Sequence, residues 1–103
     1  QNGLKENKTN YLSKNAETQY FEILEYLFEE APQAIEIVAN ALLDMIESLS
    51  SQYNNYPLDR FKKNNDGSFK TAIVFSYRIS YQISENNVTI LRIRHTSREP
   101  LSF

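Results

Sequence analysis

The stretch YRISYQISENNVTILRIRH, residues 77–95, decides the fold. Apolar and polar residues alternate on both sides of its turn-forming SENN segment, which predicts two antiparallel strands over residues 77–84 and 88–95. Residues 69–75 are another β-prone run, and the turn-forming NNDG sequence at 64–67 comes just before it. We therefore expect three consecutive strands in a meander.

The register of the last two strands decides which side chains share a face, because side-chain direction alternates with every residue. We expect a three-residue loop at 85–87, since an even loop would mix arginines into the apolar face. This loop gives the cross-strand pairs Arg78–Arg94, Ile79–Ile93 and Tyr81–Leu91. One face of the sheet, turned away from the helices, then carries the three strand arginines. This arginine face consists of Arg78, Arg92 and Arg94.

Upstream of the strands the apolar residues recur at spacings of three and four, which predicts two amphipathic helices. Ser13 or Asn15 caps the first helix, which runs to about Glu30. Pro32 ends that helix and suits the first turn of the second, and so short a connection predicts an antiparallel helix hairpin. The apolar stripes are Ala16, Tyr20, Leu24, Leu27 and Phe28 in the first helix, and Ile35, Val38, Leu42, Met45, Ile46 and Leu49 in the second.

The remaining segments complete the predicted architecture. Residues 8–13 form a weak amino-terminal edge strand, whereas residues 1–7 are polar and patternless, as in a tail or tag remnant. Residues 59–63, DRFKK, are either a strand or an ordered loop. The predicted fold is α+β in the order β-α-α-β-β-β, with the helix hairpin packed on an antiparallel sheet. Residues 8–103 form a single domain, because a chain of 103 residues supports one core.

Charge is divided unevenly along the chain. Residues 1–56 hold three Lys/Arg and nine Asp/Glu, whereas residues 57–103 hold eight and four. Such asymmetry indicates a cationic partner for the first half and an anionic partner for the second. Glutamates on the solvated faces of helices would give the same acidic half without a partner, and both interpretations stay open.

The composition excludes several kinds of site. There is no cysteine, and the single histidine, His95, cannot build a site of several histidines. The sequence has no glycine-rich phosphate loop, HExxH helix or GxSxG elbow. We therefore expect neither a metal ion nor a cofactor. With no membrane-spanning apolar run and no signal-like amino terminus, we expect a cytoplasmic protein that does not bind membranes.

The candidate binding residues belong to or lie near the arginine face. Guanidinium groups match phosphate and carboxylate in geometry, and Arg98, Lys62, Lys63 and Lys70 would widen the same cationic surface. A second interpretation is that these charges only keep an exposed sheet face soluble. His95 is likewise open to two interpretations, a packed, hydrogen-bonded residue or a general base.

The segment YRISYQISENNVTILRIRHTSREP, residues 77–100, resembles the carboxy-terminal hairpin of the RelE/ParE superfamily of bacterial toxins. The most specific part is the pattern Y-R-x-x-Y-x-I at 77–83. SKNAETQYFEILEYL at 13–27 is similar to the superfamily's first strand and helix, and DRFKKNNDGSFK at 59–70 precedes the sheet as in many members. The resemblance implies the toxin of a type II toxin–antitoxin system, a plasmid stabilisation protein, which is neutralised by a cognate antitoxin encoded beside it.

The resemblance leaves the target and any enzymatic activity open. ParE-like toxins bind and inhibit DNA gyrase, whereas RelE-like toxins are metal-independent endonucleases that cut mRNA on the ribosome. The net charge of −2 favours the ParE-like inhibitor, because work inside a ribosomal RNA cleft favours a strongly basic protein. A third hypothesis is that the protein is a non-toxic structural or interaction module.

For a nuclease, the resemblance implies catalytic roles for three residues. Arg78 and Arg98 would hold the scissile phosphate, and His95 would move a proton. Phe103 lies near where some of these nucleases carry a terminal tyrosine. A phenyl ring can stack on a base but cannot exchange a proton, so Phe103 is at most a binding residue.

Overall fold

The structure, a computed structural model, describes residues 7–98, so most of the predicted amino-terminal tail lies outside the described residues. It contains the predicted order of elements, which confirms the α+β fold. These elements are β1 (Thr9–Leu12), α1 (Lys14–Glu30), α2 (Ile35–Gln52), β2 (Phe69–Val74), β3 (Tyr77–Ile83) and β4 (Asn87–His95), with short 3₁₀ helices at Pro32–Ala34 and Thr96–Arg98. Neither α-helix within residues 7–98 is long and apolar enough to cross a membrane.

The four strands form one mixed sheet in the order β1-β4-β3-β2. β2, β3 and β4 pair antiparallel in the predicted meander, and β1 occupies an edge, as predicted. β1 runs parallel to β4, so the sheet is not wholly antiparallel. The parallel pairing is possible because both helices lie between these two strands in sequence and carry the chain back across the sheet.

The start of α1 is tied to the sheet through Ser13, the first of the two predicted caps. Ser13 Oγ accepts a hydrogen bond from the Ala16 N–H at 3.0 Å and donates one to the Leu91 carbonyl at 3.0 Å. Pro32 lies in the 3₁₀ turn that leads into α2 and not in the helix itself. One hydroxyl therefore both caps α1 and fixes its direction relative to β4.

Replacing Ser13 by alanine should lower the free energy of unfolding by about 1–2 kcal/mol, because both bonds of its hydroxyl are lost. Urea denaturation followed by circular dichroism measures the change. Asn15→Ala, at the other candidate cap, is the matched control and should have little effect. Equal losses in the two variants would contradict the assignment of the cap.

The hydrophobic core lies between the helix hairpin and one face of the sheet. Its buried apolar residues are Ala16, Tyr20, Leu27, Leu42, Ile46, Leu49, Ala72, Tyr77, Ile79, Tyr81, Val88, Ile90 and Ile93. Phe28, which was predicted to lie on the buried stripe of α1, is 68% exposed. Leu27 takes the buried position in that turn, and the next residue lies 100° further round the helix.

Tyr81 is the largest fully buried side chain of this core. Its hydroxyl donates a hydrogen bond to the Tyr53 carbonyl at 2.8 Å, which ties β3 to the carboxyl end of α2. Burial raises the pKa of Tyr81 well above its ordinary value, so the hydroxyl stays a neutral donor at physiological pH.

Candidate functional site

The register of β3 and β4 brings the strand arginines together. Arg78 lies directly opposite Arg94, as predicted, and Arg92 is two residues along the same face of β4. The other face packs against the helices through Ile79 and Ile93, which are paired as predicted and are 0% and 2% exposed. Cross-strand neighbours have Cβ atoms about 4.5–5.5 Å apart. The arginine face is therefore a dense patch of positive charge.

The predicted pairing is wrong on the turn side of Ser80. Tyr81 pairs with Ile90 and not with Leu91, because the register shifts between Ser80 and Tyr81. The turn at 84–87 has four residues between the paired strand ends, so it is even and not odd. Leu91 is the extra residue of a β-bulge, and this extra residue restores the alternation that keeps the arginines off the apolar face.

The loop before β2 lies partly over the arginine face. The Asp59 N–H donates to the Phe69 carbonyl at 2.9 Å, which holds the loop beside the edge of β2. Residues 59–63 are thus an ordered loop and not a strand. The Phe61 ring contacts Arg78, with the guanidinium carbon 5.1 Å from the ring centroid. At this distance the positive charge is attracted to the ring.

The NNDG turn fixes the other end of this loop. Gly67 has a φ of 100°, a conformation that side chains disfavour. Asn65 Oδ1 accepts the Gly67 N–H at 2.8 Å, and Asn65 Nδ2 donates to the Phe69 carbonyl at 2.9 Å. Hydrogen bonds from the Ser68 hydroxyl and N–H hold the pKa of the Asp66 carboxyl below its ordinary value. These hydrogen bonds hold the turn, and with it the end of the loop next to β2, in one conformation.

Two of the lysines predicted to widen the cationic surface, Lys62 and Lys63, belong to the same loop. The prediction is wrong for Lys70, which pairs with Tyr81 on the helix side of the sheet and donates from Nζ to the Tyr56 carbonyl at 3.0 Å. The Lys62 ammonium lies 4.6 Å from the centroid of the Phe69 ring. Phe69 pairs with Gln82, whose side chain is on the arginine side of the sheet. Lys63 is exposed, and its carbonyl accepts a hydrogen bond from Lys62 Nζ at 3.1 Å. The structure therefore brings Lys62 to the border of the arginine face.

His95 lies at the end of β4 on the helix side of the sheet, away from the arginine face. It pairs with Tyr77, and the two rings meet edge to face with centroids 5.3 Å apart. His95 Nδ1 accepts the Ser97 N–H at 3.1 Å and lies 2.8 Å from Ser97 Oγ. These contacts are those of a packed, hydrogen-bonded histidine. Its role as a general base stays a prediction.

The side chains of two candidate site residues, Arg98 and Phe103, are outside the described residues. The Arg98 backbone ends the second 3₁₀ helix, but its side chain lies outside the described residues, as does all of Phe103. Within residues 7–98, no group of His, Asp or Glu is placed to hold a metal ion.

Sequence reasoning missed the aromatic component of the site. Phe61 and Phe69 both contact cations at this surface, together with Arg60, whose guanidinium carbon is 5.0 Å from the Phe61 ring centroid. The signal available in the sequence was the alternation of aromatic and basic residues in DRFKK. The surface combines fixed positive charge with flat apolar rings, which suits an anionic partner that also buries apolar area.

The helical layer has the opposite charge. Both helices and their connection, residues 14–52, contain eight Asp/Glu and a single Lys/Arg, Lys14. Positive charge on the outer sheet face and negative charge on the helices give the molecule two electrostatically distinct sides. A charged partner is thus steered to one side only.

The sequence matches, over residues 11–100, the family model described as the ParE toxin of type II toxin-antitoxin system, parDE. No curated protein matches the sequence. Among solved structures, a chain of the chromosomal ParDE TA system from P. aeruginosa is similar, with a TM-score of 0.68 and 12% identity over 88% of this chain and 98% of that chain. A chain of the RelBE2 toxin-antitoxin complex from Mycobacterium tuberculosis has a TM-score of 0.61 and 20% identity, covering 86% and 98%. At these identities the two structures show a shared fold.

Proposed function

The chain belongs to the ParE toxin family of type II toxin-antitoxin systems, and from that premise we propose that it binds and inhibits DNA gyrase and is neutralised by a cognate antitoxin. The observation that supports this proposal is the arginine face. Arg78 and Arg94 are cross-strand neighbours, and Phe61 contacts Arg78. An inhibitor that works by binding requires such a complementary surface and no proton donor.

The same surface suits an antitoxin. Guanidinium groups bind carboxylates through paired, charge-assisted hydrogen bonds, so acidic residues of an antitoxin segment would pair with the arginine face. A segment bound there would cover Phe61 and the arginines together. In this proposal neutralisation is a competition, because gyrase and antitoxin need the same residues.

The alternative, an mRNA endonuclease acting on the ribosome, has one observation in its favour. Cations and aromatic rings at one surface can hold phosphates and stack on bases. Proton transfer fits less well, because His95 lies on the other side of the sheet from Arg78 and its Nδ1 accepts from Ser97. A gyrase inhibitor that acts by binding needs no proton transfer, and we therefore adopt this hypothesis.

Purified protein in molar excess over gyrase is expected to block supercoiling of relaxed plasmid DNA or to trap cleaved DNA. Agarose gels of the plasmid topoisomers measure both effects. Transcripts isolated minutes after induction of the protein should remain intact. Normal supercoiling together with cuts at codon boundaries would support the nuclease instead, and normal supercoiling with intact transcripts and no toxicity would support a non-toxic interaction module.

A further inference from the structure

The hairpin between β2 and β3 turns within two residues. Val74 pairs with Tyr77, so Phe75 and Ser76 alone form the turn. Phe75 has a φ of 53°, in the left-handed region. Two-residue hairpin turns commonly need a positive φ at their first position, and glycine, asparagine or aspartate normally supplies it. A bulky aromatic residue is strained there, because its Cβ lies too close to the following carbonyl oxygen.

Packing within the protein does not explain an aromatic ring at this position. Phe75 is 61% exposed, and it belongs neither to the hydrophobic core nor to the side chains packed against that core. The NNDG turn, by contrast, has a glycine where its backbone needs a positive φ, since Gly67 has a φ of 100°. Strained residues cluster at sites that bind or react. The Phe75 ring lowers the stability of the protein by itself, so its presence indicates a role in a complex.

This turn adjoins the arginine face. Ile73 pairs with Arg78, so the two side chains share a face of the sheet, and Ile73 is 51% exposed. Phe75 follows Ile73 by two residues, and Arg78 is the first residue after the pair that closes the turn. Two large, exposed apolar side chains therefore lie at the border of the cationic patch. We call Ile73 and Phe75 together the hairpin tip.

The composition of this combined surface indicates the kind of partner that it fits. Aromatic residues and arginine are enriched where proteins bind proteins, because rings bury apolar area and guanidinium groups pair with carboxylates. DNA fits less well, since affinity for DNA comes mainly from positive charge, and this protein has a net charge of −2. The surface therefore favours a protein partner that has an apolar pocket beside acidic residues.

We propose that the hairpin tip is the apolar anchor of the gyrase-binding surface, with the Phe75 ring inserted into an apolar pocket of gyrase whose acidic rim pairs with the arginine face. The inference rests on the proposed function and adds to it a binding element that charge alone does not provide. A two-residue turn leaves the ring few backbone conformations, so little conformational freedom is lost when the ring is bound. The strain at Phe75 is then the cost of presenting this ring.

Phe75→Gly tests the inference, because it should change stability and inhibition in opposite directions. Glycine adopts a positive φ without strain, so the melting temperature of the whole chain should rise by about 4 °C, as measured by circular dichroism. The concentration needed for half-inhibition of gyrase supercoiling should also rise, by at least about tenfold, because the burial of a phenyl ring is lost. Agarose gels of plasmid topoisomers measure this second change.

Two further variants separate the ring from its surroundings. Phe75→Leu keeps an apolar side chain and the same backbone strain, so it should lose less inhibition than the glycine variant and melt near the wild-type temperature. Phe28→Ala is the matched control, since it removes an equally exposed phenyl ring, 68% exposed, from the helical layer. Inhibition by this control should stay within about threefold of the wild type, because its ring is outside the proposed interface.

Three results would overturn the anchor alone while the wild type inhibits gyrase. Undiminished inhibition by Phe75→Gly would mean that the ring is not bound. Weaker inhibition together with a lower melting temperature would mean that the ring only supports the fold. Binding of a linear DNA duplex without gyrase, lost in the glycine variant, would mean that Phe75 contacts DNA. A wild-type protein that leaves gyrase active would instead refute the proposed function, and the anchor with it.

Discussion

Replacing Tyr81 by alanine is expected to lower the free energy of unfolding by about 3–5 kcal/mol, the usual cost of removing a large aromatic side chain from a core. Tyr81 is 0% exposed and lies in the central strand β3, between Lys70 of β2 and Ile90 of β4. Domains of this size are stable by about 5–15 kcal/mol. The variant should therefore be partly unfolded at 37 °C, as measured by urea and thermal denaturation followed by circular dichroism.

The control for this prediction is Tyr81→Phe. It keeps the ring in the core but removes the hydrogen bond to the Tyr53 carbonyl, so a loss of about 1 kcal/mol is expected. Comparable losses in the alanine and phenylalanine variants would mean that the hydroxyl, and not the packing of the ring, stabilises this part of the fold.

The order of elements could be predicted because each depends on local sequence. The change of apolar period near Ser13 indicates where β1 ends and α1 begins, and Pro32 marks the break between the helices. The parallel direction of β1 could not be predicted in this way. It depends on where the helix hairpin returns the chain, which is a tertiary property.

The sequence pattern predicts part of the pairing between the last two strands, but not all of it. The requirement that arginines stay off the apolar face predicted the pairs Arg78–Arg94 and Ile79–Ile93. It could not predict that Leu91 would be a bulge, because an odd turn and an even turn with one bulged residue place Arg92 on the same face. The alternation of apolar and polar residues determines which face each side chain is on. It does not determine whether the extra residue lies in the turn or in a bulge.

The rest of the candidate site depends on contacts between distant segments. The contact of Phe61 with Arg78 depends on how the loop before β2 is held, for example by the bond from the Asp59 N–H to the Phe69 carbonyl. The Lys62 ammonium likewise reaches the Phe69 ring only when the loop and β2 are placed side by side. Such features become visible only when the segments are placed against each other.

Reversing one charge on the arginine face should weaken gyrase inhibition strongly. Arg92→Glu is expected to raise the concentration of protein needed for half-inhibition of supercoiling by about 100-fold, since placing like charges together at an interface costs several kcal/mol. Arg92 is half-exposed and lies opposite Ser80, so the substitution should leave the circular dichroism spectrum unchanged. Raising the salt concentration should weaken the wild-type protein more than the variant.

Lys14→Glu is the matched control, because it changes the net charge by the same amount at an exposed position in the first turn of α1. If inhibition depends on the arginine face itself, Lys14→Glu should stay within about threefold of the wild type, because Lys14 belongs to α1 and not to that face. Equal losses in both variants would show that inhibition follows the overall charge of the molecule. The arginine face would then have no specific role, and the proposed competition between gyrase and antitoxin for it would be wrong.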